Sequence, residues 1–416
     1  MAWSDKKGLH MRKRTLVLAV GLAVATTLVA APAQAAGAKI RLPSLSGRYQ
    51  VGTTDLHLVG SQQDPWRPED KRELMVSVTY PAQRGGERAA WMSPAYAQRF
   101  GSAIPDLPAG AVDWAATRRH ARVSPAVDRT RGGWPVVLFS HGFGSAKELT
   151  ATLTDDLASH GYVVVSIAHT HEASMVEFPA GRFVTGSVGT DPASFKTALD
   201  VRVSDARFVL DELERVDRGG NPDAERDPLP RGLAGALDLS KVGMYGHSYG
   251  GFASGETMYH DRRIDAGLNL DGGMGVGGTG TPGEVTKHGL DRPFMLVGAD
   301  LVDPSTGREV EHSHTETSFD PTWNQFWSNQ RGWKRDLHFT GSAHSSFTDF
   351  QAVVPQLSRW YSPEKRAAAV GTIDAERSLR AQHDYFSAFF DLHLKGRDRR
   401  LFGGNSPCHP DTRFIV

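Results

Sequence analysis

The chain has 416 residues, in which 47 Lys and Arg side chains balance 47 Asp and Glu, and it contains a single Cys. Balanced charge gives no electrostatic basis for binding nucleic acid. One Cys excludes a disulfide framework and any four-Cys metal site. A hydrophobic content of 39% is that of an ordinary globular protein. Glycine is the one excess, with 44 residues, and its positions indicate where the backbone turns sharply or approaches another group closely.

The N-terminal segment has the pattern of an export signal. Residues 11–14 are basic, residues 15–31 form an apolar run, and Ala33 and Ala35 supply the small side chains of a cleavage site. The apolar run is shorter than the ~20 residues that a membrane-spanning helix needs. We therefore expect residues 1–35 to be a signal peptide that is cleaved near Ala35, and we expect the mature protein to be secreted.

Strands and helices are predicted to alternate along the rest of the chain. Continuous apolar runs are typical of strands buried on both faces, and apolar residues at three-to-four spacing indicate amphipathic helices. Strands are predicted at residues 74–80, 134–140, 162–167, 242–245, 266–270, 293–297 and 337–339, and helices at 147–160, 194–217, about 372–395 and in a segment that ends near 260. This alternation predicts an α/β fold with a mostly parallel central sheet and helices on both faces.

Three segments fall outside this alternation. Residues 85–133 are rich in Pro, Gly and Arg, and we expect them to form an excursion that covers the sheet. Residues 272–283 are Gly-rich and form either a mobile rim or a solvent loop. Residues 321–330 place aromatic side chains on one helical face, which favours packing on the sheet over contact with a lipid interface. No linker divides the chain, so residues 36–416 are expected to form one domain.

A nucleophile motif follows the strand at residues 242–245. Residues 246–251 read GHSYGG, which fits the pattern G-x-S-x-G between a predicted strand and a predicted helix. The serine of this motif occupies a strained turn, and glycines on either side let the strand and the helix approach each other. We therefore expect Ser248 to be a nucleophile at the carboxyl edge of the sheet.

A serine nucleophile needs a histidine base, and the base needs an orienting acid, in the chain order Ser, acid, His. His344 lies in a loop of small residues directly after the last predicted strand, and it is the expected base. Asp271 ends one predicted strand, while Asp300 and Asp303 follow the next. Either strand end can reach the imidazole in such a fold, so spacing alone leaves all three carboxylates as candidates.

An oxyanion loop is predicted at residues 140–144, which read SHGFG between a buried strand and a helix. The expected donors are the backbone amides of Phe143 and Tyr249. Each donor of this kind contributes roughly 3 kcal/mol to the stability of a transition state. His141 is expected to brace the loop rather than to react.

Two histidine pairs are candidates for metal ligands. His312 and His314 are separated by one residue, and so are His169 and His171, which follow a predicted strand. A zinc site takes three or four protein ligands, and neither pair has a third ligand at a matching spacing. We therefore expect no metal here, and we expect the pair at His169 and His171 to line the pocket instead.

Four motifs carry a resemblance to a known family. They are FSHGFG at residues 139–144, GHSYGG at 246–251, LDG at 270–272 and GSAHSSFTDF at 341–350. In these motifs the chain resembles the plasma and type II platelet-activating factor acetylhydrolases, which are α/β-hydrolases. The resemblance implies that Ser248 is the nucleophile, Asp271 the acid and His344 the base, with the amides of Phe143 and Tyr249 in the oxyanion hole.

The loop at residues 298–304 also resembles the acid loop of bacterial cutinase-like polyester hydrolases. That second likeness keeps Asp300 and Asp303 as alternative acids.

The resemblance implies a secreted serine ester hydrolase that releases short acyl groups, acetyl above all, from phospholipid-like substrates through an acyl-enzyme. It implies no calcium or other cofactor, no nucleic acid and no stable protein partner, and at most a transient contact with a lipid interface. Two alternative hypotheses remain, a lipase or cutinase-like polyester hydrolase and a catalytically silent binding protein of the same fold. A complete set of triad residues disfavours the silent protein.

Overall fold

In the computed structural model, residues 37–277, 280–303 and 306–416 are described, so the predicted signal peptide lies outside them. The strands are β1 Gln50–Asp64, β2 Arg67–Ala82, β3 Arg88–Ala90, β4 Arg118–Val123, β5 Trp134–Ser140, β6 Val163–Ala168, β7 Met175–Phe178, β8 Arg182–Thr185, β9 Leu237–His247, β10 Ile264–Leu270, β11 Gly275–Val276, β12 Thr281–Pro282, β13 Phe294–Gly298, β14 Asp300–Val302, β15 Glu309–Glu311, β16 Lys334–Phe339 and β17 Thr412–Phe414. The α-helices are α1 Pro94–Ala103, α2 Ala151–Ser159, α3 Pro192–Asp217, α4 Tyr249–His260, α5 Glu284–His288, α6 Pro321–Asn329, α7 Phe350–Val353, α8 Pro363–Val370 and α9 Ala375–Lys395. Among the helices of these ranges, none combines the length and the apolar character required to cross a bilayer.

A mixed sheet of eleven strands, counted over the described residues, forms the centre of the fold. Its strand order is β17-β16-β13-β10-β9-β5-β6-β2-β1-β4-β3. The six strands from β16 to β6 all run parallel. The antiparallel partners are β2 and β1 on one side and β17 on the other. The predicted α/β class with a mostly parallel sheet is confirmed.

Strands β5, β6 and β13 are nearly continuous apolar runs, and every residue of these strands is buried. Along β5, Val136 and Leu138 enter one core cluster, whereas Val137 and Phe139 enter the other. Helices α3, α4 and α6 cover the first face, and α2 and α9 cover the second. Side chains alternate between the faces of a strand, so a strand between two helical layers needs apolar residues at every position.

The segment at residues 85–133 contains more regular structure than its sequence indicates. It forms β3, α1 and β4, and its aromatic residues build a third core cluster against the segment that follows β5. Trp91, Phe100 and Trp114 pack against one another, with ring centroids 5.2–6.1 Å apart. The indole Nε1 of Trp91 donates to Asp349 at 2.7 Å, so the segment is fastened to the loop that follows His344.

Four strands of the central sheet were missed by the sequence prediction, namely β3 and β4 of the segment just described, and also β1 and β17. β1 pairs along most of β2, but its side chains are too mixed to give a hydrophobic period. Asp55 of β1 accepts a hydrogen bond from Ser77 at 2.5 Å, and His57 of the same strand lies 2.9 Å from Glu73. β17 has three residues, which is too few for any period to appear.

Candidate active site

Ser248 occupies a strained turn between β9 and α4. Its φ of 56° and ψ of −127° lie in a region that residues with a side chain rarely occupy. The turn is tight because a Cβ on Gly246 would lie 2.1 Å from the backbone of Gly250, and one on Gly250 would lie 2.0 Å from the carbonyl oxygen of Ser140. The Ser248 amide donates to the carbonyl of Leu270 at 2.8 Å. Both glycines of the motif are therefore sterically required.

His344 and Asp271 meet at the same edge of the sheet. Asp271 follows β10 and is buried, and its Oδ2 lies 2.6 Å from Nδ1 of His344, which follows β16. The carbonyl oxygen of His344 accepts a hydrogen bond from Nε2 of His247 at 2.9 Å, next to Ser248 in the chain. Burial, together with the neighbouring His344, lowers the pKa of His247 to about 3, so His247 is a neutral donor. The candidate nucleophile, base and acid therefore share one site.

The alternative acids bond other groups. Asp300 Oδ1 lies 2.8 Å from Nε2 of His338, and its Oδ2 accepts from the Gly341 amide at 2.6 Å. Asp303 accepts from the hydroxyl of Thr306 at 2.6 Å. Asp271 is the carboxylate that accepts the hydrogen bond from Nδ1–H of His344, so the geometry favours Asp271 over Asp300 and Asp303 as the acid.

Asp300 also belongs to a group of side chains that could act as metal ligands. One ligand atom each of Asp300, Glu311 and His338 come within 4.8 Å of one another. Glu311 is paired with the guanidinium of Arg413, and both oxygens of Asp300 already accept hydrogen bonds. These side chains therefore already pair with protein groups.

His312 is the site residue that sequence reasoning missed. Its Nδ1 lies 2.8 Å from Asp271 Oδ1, and its Nε2 lies 3.2 Å from Asp320 Oδ2. His314 turns instead to Asp336, at 2.7 Å, so the two histidines do not form a metal pair. The hairpin of β14 and β15 brings His312 back to the end of β13, where its amide donates to the Ala299 carbonyl at 3.0 Å. No local pattern in the sequence predicts this contact.

The opposite charges of Asp271 and His312 stabilise each other. Burial opposes ionisation of Asp271, but the hydrogen bonds from His312 and His344 outweigh it and hold the pKa of Asp271 well below its usual range. Burial likewise opposes the charged form of His312, but its hydrogen bonds to Asp271 and Asp320 raise the pKa of His312 to about 9. Asp271 is therefore an anion and His312 a cation at neutral pH.

The predicted oxyanion loop lies against Ser248. A Cβ on Gly142 would lie 3.3 Å from the Cβ of Ser248, which measures how closely the loop approaches. The backbone amides of Phe143 and Tyr249 donate to no other described residue. The ring of Phe143 packs on Phe195 with centroids 4.4 Å apart. The loop amide of Phe143 and the amide of Tyr249 at the start of α4 thus lie near the candidate nucleophile, each without an acceptor among the described residues.

His141 braces this loop, as expected. Its Nδ1–H donates to the Gly142 carbonyl at 2.7 Å, and its Nε2 accepts from the amide of His169 at 3.2 Å. Burial, followed by the charge of Arg202, lowers the pKa of His141 well below its usual range. His141 is therefore a neutral structural residue.

A buried polar network lies behind the loop. Arg202 donates from Nη1 to the Ser140 hydroxyl at 2.7 Å and to the His141 carbonyl at 2.5 Å, and its Nε donates to Glu172 at 2.7 Å. The expectation that His169 lines the pocket is wrong, because its side chain is fully buried between Ser140 and Asp205, at 2.9 Å from each. The network fixes the backbone that carries the oxyanion amides.

The described parts of the Gly-rich segment, residues 272–277 and 280–283, and helix α6 pack beside the site. A Cβ on Gly277 would lie 2.9 Å from Phe195, so the segment borders the aromatic residues near Ser248. Trp323 and Phe326 of α6 are fully buried, which confirms that this helix packs on the sheet. Nε1 of Trp323 donates to the Gly272 carbonyl at 2.7 Å and holds the start of the Gly-rich segment.

Comparisons with known proteins agree with the α/β fold and with a class of ester hydrolases. A solved structure described as a ferulic acid esterase from Streptomyces cinnamoneus matches 91% of this chain and 100% of its own, with a TM-score of 0.72 and 32% identity. Residues 34–181 match the family model described as platelet-activating factor acetylhydrolase, isoform II. The chain belongs to the platelet-activating factor acetylhydrolase family of α/β-hydrolases.

Two curated members of this family illustrate the extent of the similarity. A probable 1-alkyl-2-acetylglycerophosphocholine esterase of Arthroderma benhamiae is 29% identical over 295 residues, which cover 68% of this chain and 66% of that protein. The platelet-activating factor acetylhydrolase of Cavia porcellus is 23% identical over 310 residues, which cover 69% and 64%. The chain thus spans just under two thirds of the length of these relatives. Their names agree with the predicted class of ester hydrolase.

Proposed function

We propose that this member of the acetylhydrolase family is a serine carboxylic-ester hydrolase, with Ser248 as nucleophile, His344 as base and Asp271 as acid. The observation that carries the proposal is the 2.6 Å hydrogen bond between His344 and Asp271, at the sheet edge where the strained turn of Ser248 stands. A nucleophile on a strained strand-to-helix turn beside a His–Asp pair is the arrangement that acyl transfer requires.

The geometry supports the following steps. Nδ1–H of His344 donates to Asp271, which leaves Nε2 to accept the hydroxyl proton of Ser248 as its oxygen attacks the ester carbonyl. The amides of Phe143 and Tyr249 stabilise the negative charge that develops on the carbonyl oxygen. His344 then passes the proton to the departing alcohol, and the acyl group stays on Ser248. Water that is deprotonated by His344 releases the acid and restores the serine.

Two substrate classes are supported by different observations. Phospholipid-like esters with a short acyl group come first, because the curated relatives are named as enzymes of such substrates. Esters of aromatic acids are the second candidate, because the solved neighbour is named a ferulic acid esterase and because Phe143, Phe195 and Tyr249 form an aromatic wall beside Ser248. An aromatic acyl group would stack on this wall.

A fluorophosphonate probe tests the hydrolase class. We expect one stoichiometric adduct, located on Ser248 by peptide mass spectrometry and absent from Ser248→Ala. A folded protein that forms no adduct would overturn the proposal and leave a silent binding protein of this fold.

A panel of esters decides the substrate class. It contains a 1-alkyl-2-acetylglycerophosphocholine, a long-chain analogue, methyl ferulate and a polyester film, compared by kcat/KM. Highest kcat/KM on the acetyl ester supports the first candidate. Highest kcat/KM on methyl ferulate, lost selectively in Phe195→Ala, supports the second. Preference for long acyl chains or for the film would return the lipase or polyester-hydrolase alternative.

We also propose that the protein is exported after removal of residues 1–35, on the strength of the sequence pattern alone. N-terminal sequencing of protein recovered from the culture medium is expected to begin at Ala36. Protein that stays in the cells with an intact N-terminus would contradict export.

A further inference from the structure

Asp271 has two histidine partners, and the proposed acyl transfer uses only one of them, His344. Its Oδ2 faces His344 at 2.6 Å, while its Oδ1 faces Nδ1 of His312 at 2.8 Å and accepts from the Ala299 amide at 3.0 Å. The His312 side chain is 3% exposed. Each oxygen of the acid is thus held by a separate group, and one of these is a second imidazole that does not reach solvent.

The second imidazole is itself held from the far side. Nε2 of His312 lies 3.2 Å from Oδ2 of Asp320, whose other oxygen accepts from the Thr322 amide at 2.8 Å and so caps helix α6. The ring of His312 stacks on Trp323 with centroids 3.9 Å apart. A carboxylate only accepts hydrogen bonds, so a ring nitrogen on each of two carboxylates requires that both nitrogens carry a proton.

We propose that His312 is a positioning residue, held as an imidazolium between Asp271 and Asp320, that fixes Asp271 toward His344 and partly offsets its negative charge. This inference rests on the proposed function, because it assigns His344 the role of base. The raised pKa of His312, about 9, agrees with the proton count that the geometry requires.

The positive charge of His312 is expected to affect the pH range in which the enzyme is active. The charged and titratable groups around His312 are Asp271 at the end of β10 and Asp320 at the start of α6, with His344 and the neutral His247 beyond Asp271. Without the cation, the buried Asp271 and the partly buried Asp320 would lose their shared positive partner, and their negative charge would favour the protonated form of His344. A protonated His344 cannot accept the serine proton, so activity at low pH would fall.

The test is the pH dependence of kcat/KM for His312→Gln. We expect the midpoint of the acid limb to rise by about one pH unit, because a neutral amide replaces a nearby cation. We also expect kcat at its plateau to fall roughly tenfold to a hundredfold, because Asp271 is held less firmly. Asp320→Asn removes an anion instead, so its acid limb is expected to stay in place or to move to lower pH.

His314→Gln is the matched control. His314 also stacks on a tryptophan, Trp327, at 3.9 Å and also bonds a buried carboxylate, Asp336, at 2.7 Å. The substitution His314→Gln therefore removes a comparable ring stack and a comparable hydrogen bond. The carboxylate that it affects, Asp336, is not the one that orients His344. Its acid limb is expected to coincide with that of the unmodified protein. A shift as large as that of His312→Gln, or equal shifts in His312→Gln and Asp320→Asn, would overturn the proposal.

A second measurement separates this inference from the proposed function. In protein with ¹⁵N-labelled histidine, the side-chain nitrogens of His312 are expected to show two attached protons at pH 7, with assignment by comparison with His312→Gln. A neutral His312 ring at pH 7 would overturn the inference even if the enzyme is active. Failure of fluorophosphonate labelling would overturn the function while leaving this spectrum unchanged.

Discussion

Replacement of Arg202 by methionine tests how the oxyanion loop is held. The Arg202 side chain is fully buried and bridges Glu172 to the Ser140 hydroxyl and the His141 carbonyl. Methionine fills similar volume but makes none of these bonds. The substitution should therefore weaken the protein in two ways, through the stranded carboxylate and through a looser loop beside Ser248.

The stability effect follows from the burial of Glu172. Removing one partner of a buried ion pair leaves an uncompensated charge and costs about 3–5 kcal/mol. For a domain of this size that corresponds to a fall in Tm of about 4–6 °C. Replacing both partners, as in Arg202→Met with Glu172→Met, removes the stranded charge and should recover most of that loss.

The kinetic effect should not recover with it. The loop that carries the Phe143 amide loses both of its bonds from Arg202 in either variant, so kcat should fall roughly tenfold to a hundredfold while KM changes little. Hydrolysis of p-nitrophenyl acetate and thermal melting measure the two effects. Arg72→Met is the control, because Arg72 pairs with the buried Asp205 at 2.6 Å and is linked to Ser140 through Asp205 and His169. A folded Arg202→Met with unchanged kcat would refute the positioning role.

Three further outcomes are expected. Asp271→Asn should lower kcat about 10⁴-fold, and Asp300→Asn should stay within about tenfold of the unmodified protein, both measured on p-nitrophenyl acetate. Gly250→Ala should fail to give a stable fold in thermal melting, because its Cβ would lie 2.0 Å from a carbonyl oxygen. Folding raises the pKa of His312 from 6.5 to about 9, so its stabilisation of at most about 3 kcal/mol is complete below pH 6.5 and is lost as pH rises through 9. Urea unfolding at pH 7 and pH 10 should show that loss, and His312→Gln should show a smaller one.

The core strands of the central sheet and the strained turn of the candidate nucleophile could be predicted because their physical requirements are local. A strand buried on both faces needs apolar residues throughout, as at residues 134–140, and the amphipathic helices show their own period. The Ser248 turn requires Gly246 and Gly250 for steric reasons that involve only neighbouring backbone. Such constraints act within a few residues, and a single sequence displays them directly.

The polar parts could not be predicted because their partners are distant in the chain. The sequence of β1 shows no strand pattern, because it contains polar side chains such as His57. That histidine is hydrogen-bonded to Glu73 on β2 and to Glu225 on a loop. The role of His312 depends on Asp271, which is 41 positions away, and on the cap of a helix. Only the folded chain brings these groups together, so their residue types carry no local pattern.

The carboxylate that pairs with His344 illustrates how side-chain pairing separates candidates that spacing in the sequence leaves open. Asp271 and Asp300 each follow a parallel strand, and each carboxylate meets a histidine near the end of β16. The register of β13 against β16 places Gly298 opposite His338, so the next acidic residue, Asp300, bonds His338 at 2.8 Å. Because Asp300 accepts hydrogen bonds from His338 and from the Gly341 amide, both of its oxygens are occupied. The imidazole of His344 pairs with Asp271 instead. A histidine at the position of His338 therefore favours the earlier acid, and a relative with an apolar residue there would leave the later carboxylate free to turn toward the base.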